Sequence, residues 1–286
     1  MKYTYVCDKE MLLKEYFIYL GLSQRMIKQI RAQDNIYVNG IHKKNYEMIH
    51  VNDVLELEFS EKDVNANVSK KDIDIVYEDD YYLIVNKCAN LASHPTKSHL
   101  DDNLLARVKY YFEKKNEDVI PRLVNRLDFS TSGLIIISKS RLAHYKISKI
   151  NYEKKYLCLV KGNLEIDNEE KVIDTLIDRY PAPNIRRFVS VDSGQRVITI
   201  YKAVKNIDGN CLVECTLVTG RTHQIRVHMA YINHPIINDK LYNPDCFDLE
   251  DKLNYDTMYL HSYYISFIHP FTNEKIEVKK DPMWYN

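Results

Sequence analysis

The chain has 286 residues, enough to bury a substantial core in one large domain, or in a large domain and a small one. Its 40 basic residues balance its 40 acidic ones, so the overall charge does not indicate a nucleic-acid partner, although a local imbalance still can. The six cysteines include no CxxC pair, which disfavours a zinc knuckle or a redox motif. Because no stretch approaches the roughly 20 apolar residues that span a bilayer, and the N-terminus has no apolar signal region, we expect a soluble, cytoplasmic protein.

The first sixty residues have the pattern of a small separate unit. Apolar residues recur at helical spacing over residues 11–20, and Gly21 predicts the end of that helix. Ser23 is a good N-cap for a second helix. Asn39-Gly40 between two apolar runs predicts a hairpin, and the strict alternation over residues 54–59 predicts a strand with one wet face.

Basic residues are concentrated in this unit. Arg25, Lys28 and Arg31 are spaced to lie together on the second helix, away from its apolar side, and Lys43 and Lys44 follow the hairpin. The pattern is typical of a surface that binds RNA phosphates. An ordinary solvated helix face is the alternative, and charge alone would favour it.

A polar segment without periodicity, residues 61–72, predicts a linker between two domains. Two apolar runs around Glu78-Asp79-Asp80 then predict a hairpin at the start of the larger domain. Lys87 leaves the second of these strands and begins a loop that either faces a ligand or merely connects. Asp101 and Asp102 supply acids at the start of a further helix.

Arg126 and Asp128 stand immediately before a strand that is expected to be buried, Ile135 to Ile137. Loops held by a rigid scaffold often carry chemistry, but one aspartate beside one arginine is more often a structural ion pair or a turn. The surrounding residues 122–155 contain eight basic residues and two acidic ones, a local excess of six positive charges. Such a field fits a polyanionic substrate.

The N-terminal pattern resembles the S-four-type RNA-binding domain, which is named after a ribosomal small-subunit protein. The resemblance is carried by residues 20–25, by Ile36-Tyr37-Val38-Asn39-Gly40 and by Val51-Asn52-Asp53-Val54-Leu55. It implies two helices against a small sheet over residues 10–60, with basic residues of the second helix on structured RNA.

Two further motifs resemble the signatures of the RluA family of RNA pseudouridine synthases. The first is Asn125-Arg126-Leu127-Asp128 with Thr131-Ser132-Gly133-Leu134, and the second is Thr219-Gly220-Arg221-Thr222-His223-Gln224-Ile225-Arg226-Val227-His228-Met229-Ala230. Lys155-Tyr156 resembles the segment with the family's active-site tyrosine. The resemblance implies a catalytic domain over residues 73–286, an α+β fold built on a mixed, largely antiparallel sheet.

The resemblance also implies the roles of individual residues. Asp128 would be the catalytic aspartate, Arg126 would help to expel and replace the target base, and Tyr156 would stack on the uracil. Arg221 would be buried against Asp128, where a cation favours the ionised carboxylate. The isomerisation needs no cofactor, no redox partner and no metal, and Asp128 could act either as a nucleophile or as a base.

Other interpretations of these residues remain open. The arginine and aspartate could form a structural ion pair, and Tyr156 could be one core residue among 23 tyrosines. His223, His228 and His234 suggest a metal site, but the first two are five residues apart rather than four, and no carboxylate or cysteine completes a ligand set.

The match departs from the usual family residues at four positions around the site: Cys88, Asn125, Phe129 and Ser130. We therefore expect a monomeric pseudouridine synthase acting on structured RNA, with large-subunit ribosomal RNA favoured as its substrate and transfer RNA as the second choice. A non-catalytic RNA-binding or ribosome-assembly protein and a metal-dependent hydrolase are rival interpretations.

Overall fold

The computed structural model describes residues 2–58, 67–243 and 257–285. Residues 2–58 form the N-terminal unit, and the other two ranges form the C-terminal unit. Phe59, residues 61–66 of the predicted linker and Cys246 lie outside the described residues. Across the described ranges, no helix is long and apolar enough to cross a membrane.

The N-terminal unit contains short strands and two helices around one small core. They are, in chain order, β1 (Lys2–Val6), β2 (Met11–Leu12), α1 (Leu13–Tyr19), α2 (Gln24–Gln33), β3 (Ile36–Val38), β4 (Ile41–His42), β5 (Met48–Ile49) and β6 (Val54–Glu58). Four of the strands form a sheet in the order β1-β6-β3-β4, while β2 pairs with β5.

Several predicted features of this unit are confirmed. The Ser23 hydroxyl accepts a hydrogen bond from the Met26 backbone N–H at 3.2 Å and caps α2. Asn39 and Gly40 both have positive φ, 53° and 78°, as a two-residue hairpin turn requires. The first helix begins only at Leu13, because the two residues before it pair with β5.

The C-terminal unit is built on one large sheet. Its elements are β7 (Asp74–Glu78), β8 (Tyr82–Lys87), α3 (Leu104–Lys114), β9 (Arg122–Leu123), β10 (Ser132–Ser138), α4 (Arg141–Ile147), β11 (Glu153–Lys161), β12 (Lys171–Arg179), β13 (Arg187–Ser190), β14 (Gln195–Ile207), β15 (Asn210–Leu217), α5 (Gln224–Tyr231), β16 (Leu260–Ile268) and β17 (Lys275–Lys279). The strand order is β13-β12-β14-β15-β11-β16-β10-β8-β7, with β17 also on β16 and β9 also on β10.

The sheet is mixed and largely antiparallel, which confirms the α+β prediction. Among the pairings of the described strands, β10 with β16 is parallel and the others are antiparallel. Alternate residues of β8 and β10 face two cores: one contains apolar side chains of α3 and α5, and the other contains those of α4. The polar residues of the first motif lie where β10 begins.

Gly133 permits the close approach of the paired strands β10 and β16. Its φ is +112°, and a Cβ at this position would lie 2.3 Å from the backbone oxygen of Ser262. No residue with a side chain fits so close an approach without a shift of the backbone. Ser262 pairs with Gly133 on one side and with Tyr156 of β11 on the other. These two pairings place Tyr156 two strands away from the start of β10.

The two units contact each other through α4. Leu142 of α4 is buried in the core of the N-terminal unit, and the Arg141 guanidinium hydrogen-bonds the side chain of Gln29 on α2. The described end of the predicted linker is also held, because Ser69 donates a hydrogen bond to Asp102 at 2.9 Å and Lys71 pairs with the same carboxylate at 2.7 Å. The N-terminal unit therefore packs directly on the C-terminal unit.

Candidate active site

Asp128 lies in the turn that leads into β10. Its backbone oxygen accepts a hydrogen bond from Thr131 N–H at 3.2 Å, which closes the turn. Ser93 ties down the preceding residue: its hydroxyl donates to the Leu127 oxygen at 2.7 Å and accepts from the Leu127 N–H at 3.3 Å. The Asp128 side chain keeps 27% of its surface exposed. It is therefore a carboxylate in a fixed turn that a substrate can still reach.

The cation beside this carboxylate is Arg226, not Arg221. Nη1 of Arg226 lies 3.2 Å from Oδ2 of Asp128, and the Arg226 side chain is only 5% exposed. Arg221, in contrast, is exposed. It precedes α5, whereas Arg226 lies within the helix and is buried. The expected burial of Arg221 against Asp128 is therefore wrong, because the start of α5 separates the two arginines of the motif.

Arg226 is held by a second, fully buried carboxylate. Its Nε and Nη2 atoms each donate to one oxygen of Asp239, both at 2.7 Å. Asp239 also accepts a hydrogen bond from the backbone N–H of Leu241 at 3.0 Å. Burial alone would lower the pKa of Arg226, but the hydrogen bonds and charges of Asp239 and Asp128 raise it, so the guanidinium stays charged. The two hydrogen bonds to Asp239 fix the orientation of the guanidinium, so that its remaining nitrogen, Nη1, is directed towards Asp128.

His223 is a further polar neighbour of Asp128. It caps α5 with a left-handed φ of 60°, and its Nε2 lies 3.8 Å from Oδ2 of Asp128. Its Nδ1 lies 2.9 Å from the hydroxyl of Tyr242, which accepts a hydrogen bond from the Arg187 N–H at 2.7 Å. If that hydroxyl donates to Nδ1, the ring proton sits on Nε2 and points towards Asp128. Burial lowers the pKa of His223, which favours this neutral form.

Tyr156 lies in β11, at a register shift against β16 between Lys155 and Tyr156. Its side chain is buried within the main core. Burial raises the pKa of Tyr156, and the negative charge of Asp128 raises it further. The phenol therefore stays protonated at neutral pH.

Lys87 is buried under the same turn. Its ammonium donates to three backbone oxygens: those of Cys88 and Leu91 at 2.9 Å and that of Phe129 at 3.2 Å. Burial lowers the pKa of Lys87 to about 7, against the opposing effect of the negative charge of Asp128. The sequence left open whether the loop after Lys87 faces a ligand; the lysine itself joins this loop to the turn that holds Asp128.

Arg126, expected to help expel the target base, is exposed on the same loop as Asp128. Asn125, one of the four departures from the family pattern, faces inward instead: its Oδ1 accepts from Ile136 N–H at 2.8 Å. Ser130 donates to the Met258 sulfur at 3.8 Å, and Cys88 is exposed. The departures therefore surround the turn and leave the carboxylate and its cation in place.

The basic residues of the N-terminal unit fall into two groups. Arg25, Lys28 and Arg31 are exposed on α2, opposite its buried face. Lys43 pairs with Glu47 at 2.9 Å, and Lys44 pairs with Asp34. The second group is thus partly neutralised within the unit.

The local positive excess of residues 122–155 is also reduced by acids from elsewhere in the chain. Lys139 pairs with Glu78 at 2.6 Å, and Lys155 lies 3.4 Å from Glu214. Burial lowers the pKa of Lys154, which is another lysine of this field. The charge that remains at the surface includes exposed Arg126 and Lys149.

The three histidines that suggested a metal are used in separate hydrogen bonds. His223 bonds Tyr242, the ring of His228 lies between two threonine hydroxyls at 3.0 and 2.9 Å, and His234 donates to the Lys161 oxygen at 2.9 Å. Within the described ranges, no group of three or more histidines, cysteines and carboxylates is placed to hold a metal ion.

Comparison with known proteins places the chain in a family. Residues 81–231 match the RNA pseudouridylate synthase family. An "Uncharacterized RNA pseudouridine synthase" of Bacillus subtilis is 32% identical over 273 residues, covering 93% of each chain. A "Ribosomal large subunit pseudouridine synthase D" of Buchnera aphidicola is 30% identical over 275 residues, covering 90% of this chain and 85% of the relative.

A solved structure agrees at the level of the fold. The human "RNA Pseudouridylate Synthase Domain Containing 1" superposes with a TM-score of 0.58 at 24% identity, over 75% of this chain and 85% of that one. The matched family segment contains Asp128, Tyr156 and Arg226, so it spans the cluster around the carboxylate. The chain belongs to the RNA pseudouridylate synthase family, whose members are isomerases that convert uridine in RNA to pseudouridine.

Proposed function

We propose that this synthase modifies uridines of large-subunit ribosomal RNA, with Asp128 as the group that begins the chemistry. The single observation that carries the role of Asp128 is its setting: an accessible carboxylate held 3.2 Å from a buried guanidinium. Fully buried Asp239 already neutralises this guanidinium, so the second, partly exposed carboxylate is not required for that purpose and remains accessible to a substrate. The guanidinium places a positive charge beside this carboxylate, whether Asp128 acts as a nucleophile or as a base.

The reaction breaks the C–N bond between uracil and ribose, turns the uracil and rejoins it through a C–C bond. Asp128 would act on the nucleotide, and Arg226 would stabilise its charge before and after that step. Tyr156 would cover one face of the uracil, since its buried ring is rigid and protonated. A packed wall of this kind keeps the detached base from leaving while it turns.

The target nucleotide must leave its stack to reach Asp128, at a cost of a few kcal/mol. Arg126 is exposed two residues before Asp128 and is suited to fill the vacated space. Because flipping is cheapest in loops and bulges, folded RNA suits such a site better than a regular duplex. The Buchnera relative is named for the large ribosomal subunit, which favours that RNA. Transfer RNA is the second candidate. The reaction would take place in the cytoplasm, with the enzyme as a monomer.

The decisive experiment maps pseudouridines in ribosomal and transfer RNA from cells with and without the gene. We expect sites in large-subunit ribosomal RNA to disappear; disappearance from transfer RNA alone would replace the proposed substrate. Asp128→Asn should abolish conversion and leave RNA binding nearly intact. Retained turnover by Asp128→Asn would remove Asp128 from the catalytic role.

We further propose that the N-terminal unit is an S-four-type RNA-binding domain that binds phosphates through α2. The exposed positions of Arg25, Lys28 and Arg31 support this. Reversal of all three charges should weaken RNA binding and flatten its salt dependence, since each lost phosphate contact removes about 0.9 from the slope of log K against log salt on a duplex. Lys14→Glu, an exposed change on α1, is the control. Equal salt slopes for all three proteins would make the α2 face merely solvated.

A further inference from the structure

We propose that Phe129 and His99 form a stacking platform for a nucleobase next to the target uridine. This inference rests on the proposed function of the Asp128 site. It assigns a substrate-binding role to Phe129, where the chain departs from the usual family residue, and to His99, which lies outside the family motifs. Phe129 directly follows Asp128, and its side chain is 43% exposed. A large apolar ring beside a carboxylate that acts on RNA is therefore available to the substrate.

The platform is a pair of rings rather than a single exposed side chain. The rings of Phe129 and His99 are 4.8 Å apart with an angle of 20° between their planes, which is a stacked arrangement. His99 comes from the loop before α3, so the pair joins two separate segments of the chain. One face of the phenyl ring is covered by the imidazole, and the ring stays partly open to solvent.

Both halves of the pair are fixed by buried polar groups. The Phe129 backbone oxygen accepts one of the three hydrogen bonds of Lys87, at 3.2 Å. The His99 backbone oxygen accepts from Asn103 Nδ2 at 3.3 Å, and Asn103 is itself buried at the start of α3. Because the backbone that carries each ring is held in this way, the pair loses little further freedom when a ligand stacks on it.

The chemistry of the surroundings selects a nucleobase over another apolar ligand. Exposed Arg126 stands three residues before Phe129, so a cation for the phosphate backbone lies on the same loop as the aromatic face. Surfaces that bind single-stranded RNA combine positive charge with aromatic rings in this manner. Since the target uridine must be flipped to reach Asp128, a neighbouring base loses a stacking partner, and the platform replaces it.

The test compares RNA binding and turnover of the full chain with those of Phe129→Ala. The probe is a hairpin RNA with the mapped uridine in its loop, or with an all-uridine loop if mapping finds no converted site. Stacking of one base is worth a factor between about 5 and about 150 in affinity. We expect Phe129→Ala to raise Kd and KM by a factor within that range, with kcat little changed. His99→Ala should raise Kd and KM by a smaller factor. Phe129→Tyr should bind the RNA as the wild type does. Tyr285→Ala, at a similarly exposed aromatic residue (45%), should bind as the wild type does.

Abasic probes identify the partner of the ring. When the nucleotide on one side of the uridine carries no base, wild type and Phe129→Ala should bind that probe equally. If the difference persists with both flanking abasic probes, or if Phe129→Ala binds as tightly as wild type, the platform is refuted. Pseudouridine formation is measured separately. If the binding results refute the platform while the wild type still converts uridine, the proposed function is unaffected. Base-dependent binding without any conversion would retain the platform and refute the proposed function.

Discussion

Replacement of Arg226 by methionine provides a quantitative test of the corrected pairing. The guanidinium is 5% exposed and donates two hydrogen bonds of 2.7 Å to Asp239, whose side chain is fully buried. Removal of one partner of a buried ion pair costs about 3–5 kcal/mol, because it leaves an uncompensated charge in the interior. Most of that cost belongs to Asp239, since Asp128 is partly exposed and water can screen it. We therefore expect Arg226→Met to destabilise the C-terminal unit by about 3–5 kcal/mol.

The assay is urea unfolding followed through Trp284, the single tryptophan of the chain, which packs against Tyr259. Arg221→Met is the matched control, because an exposed substitution changes stability by about 0.5 kcal/mol or less. Arg226→Met combined with Asp239→Asn should recover much of the lost stability but none of the activity. If Arg221→Met were as destabilising as Arg226→Met, the assignment of Arg226 as the buried partner of the two carboxylates would be incorrect.

Two further predictions concern the sheet beneath the site. Gly133→Ala should lower the free energy of unfolding by more than about 2 kcal/mol, because strain at positive φ adds to a clash with β16. Gly209→Ala is the control, since Gly209 also has positive φ but has open space where a Cβ would lie, so it should show the strain alone. Equal losses of stability in urea unfolding would contradict the close approach of β10 and β16. Burial lowers the pKa of His261 on β16 to about 4. The unfolded chain therefore binds more protons between about pH 4 and 6.5, and wild type should lose stability relative to His261→Gln as the pH falls through this window. A constant difference across the window would show that His261 does not titrate differently on folding.

Local signals predicted much of the fold because their physical causes are local. A cap such as Ser23 and a turn such as Asn39-Gly40 depend on a few neighbouring residues, and both are present as expected. The hairpin predicted around Glu78 is confirmed as β7 and β8, since two apolar runs around a charged turn suffice to specify it. The position of Asp128 before a buried strand followed from the same kind of local pattern, whereas its catalytic role was implied only by the resemblance to the RluA family.

The pairings of the site could not be predicted, because they depend on where α5 begins. Arg221 and Arg226 stand five residues apart in one motif, and either could meet Asp128 in an extended or a helical segment. The left-handed backbone of His223 starts the helix between them, which leaves Arg221 at the surface and turns Arg226 inward. The sequence also overestimated the positive charge of residues 122–155. Glu78 and Glu214 come from distant segments, and they neutralise two lysines of that range.

The use of two carboxylates on one arginine gives the site its geometry. If Asp128 were its only partner, the Arg226 guanidinium could rotate together with the Asp128 side chain. The cost of burying the cation would then be offset by one partly exposed carboxylate alone. Asp239 instead occupies two donors in a planar fork, so the remaining edge points in one direction. Asp128 can then change its charge or form a bond during the reaction while Arg226 remains paired and in place. The buried carboxylate therefore holds the cation ready at the position where charge on Asp128 changes.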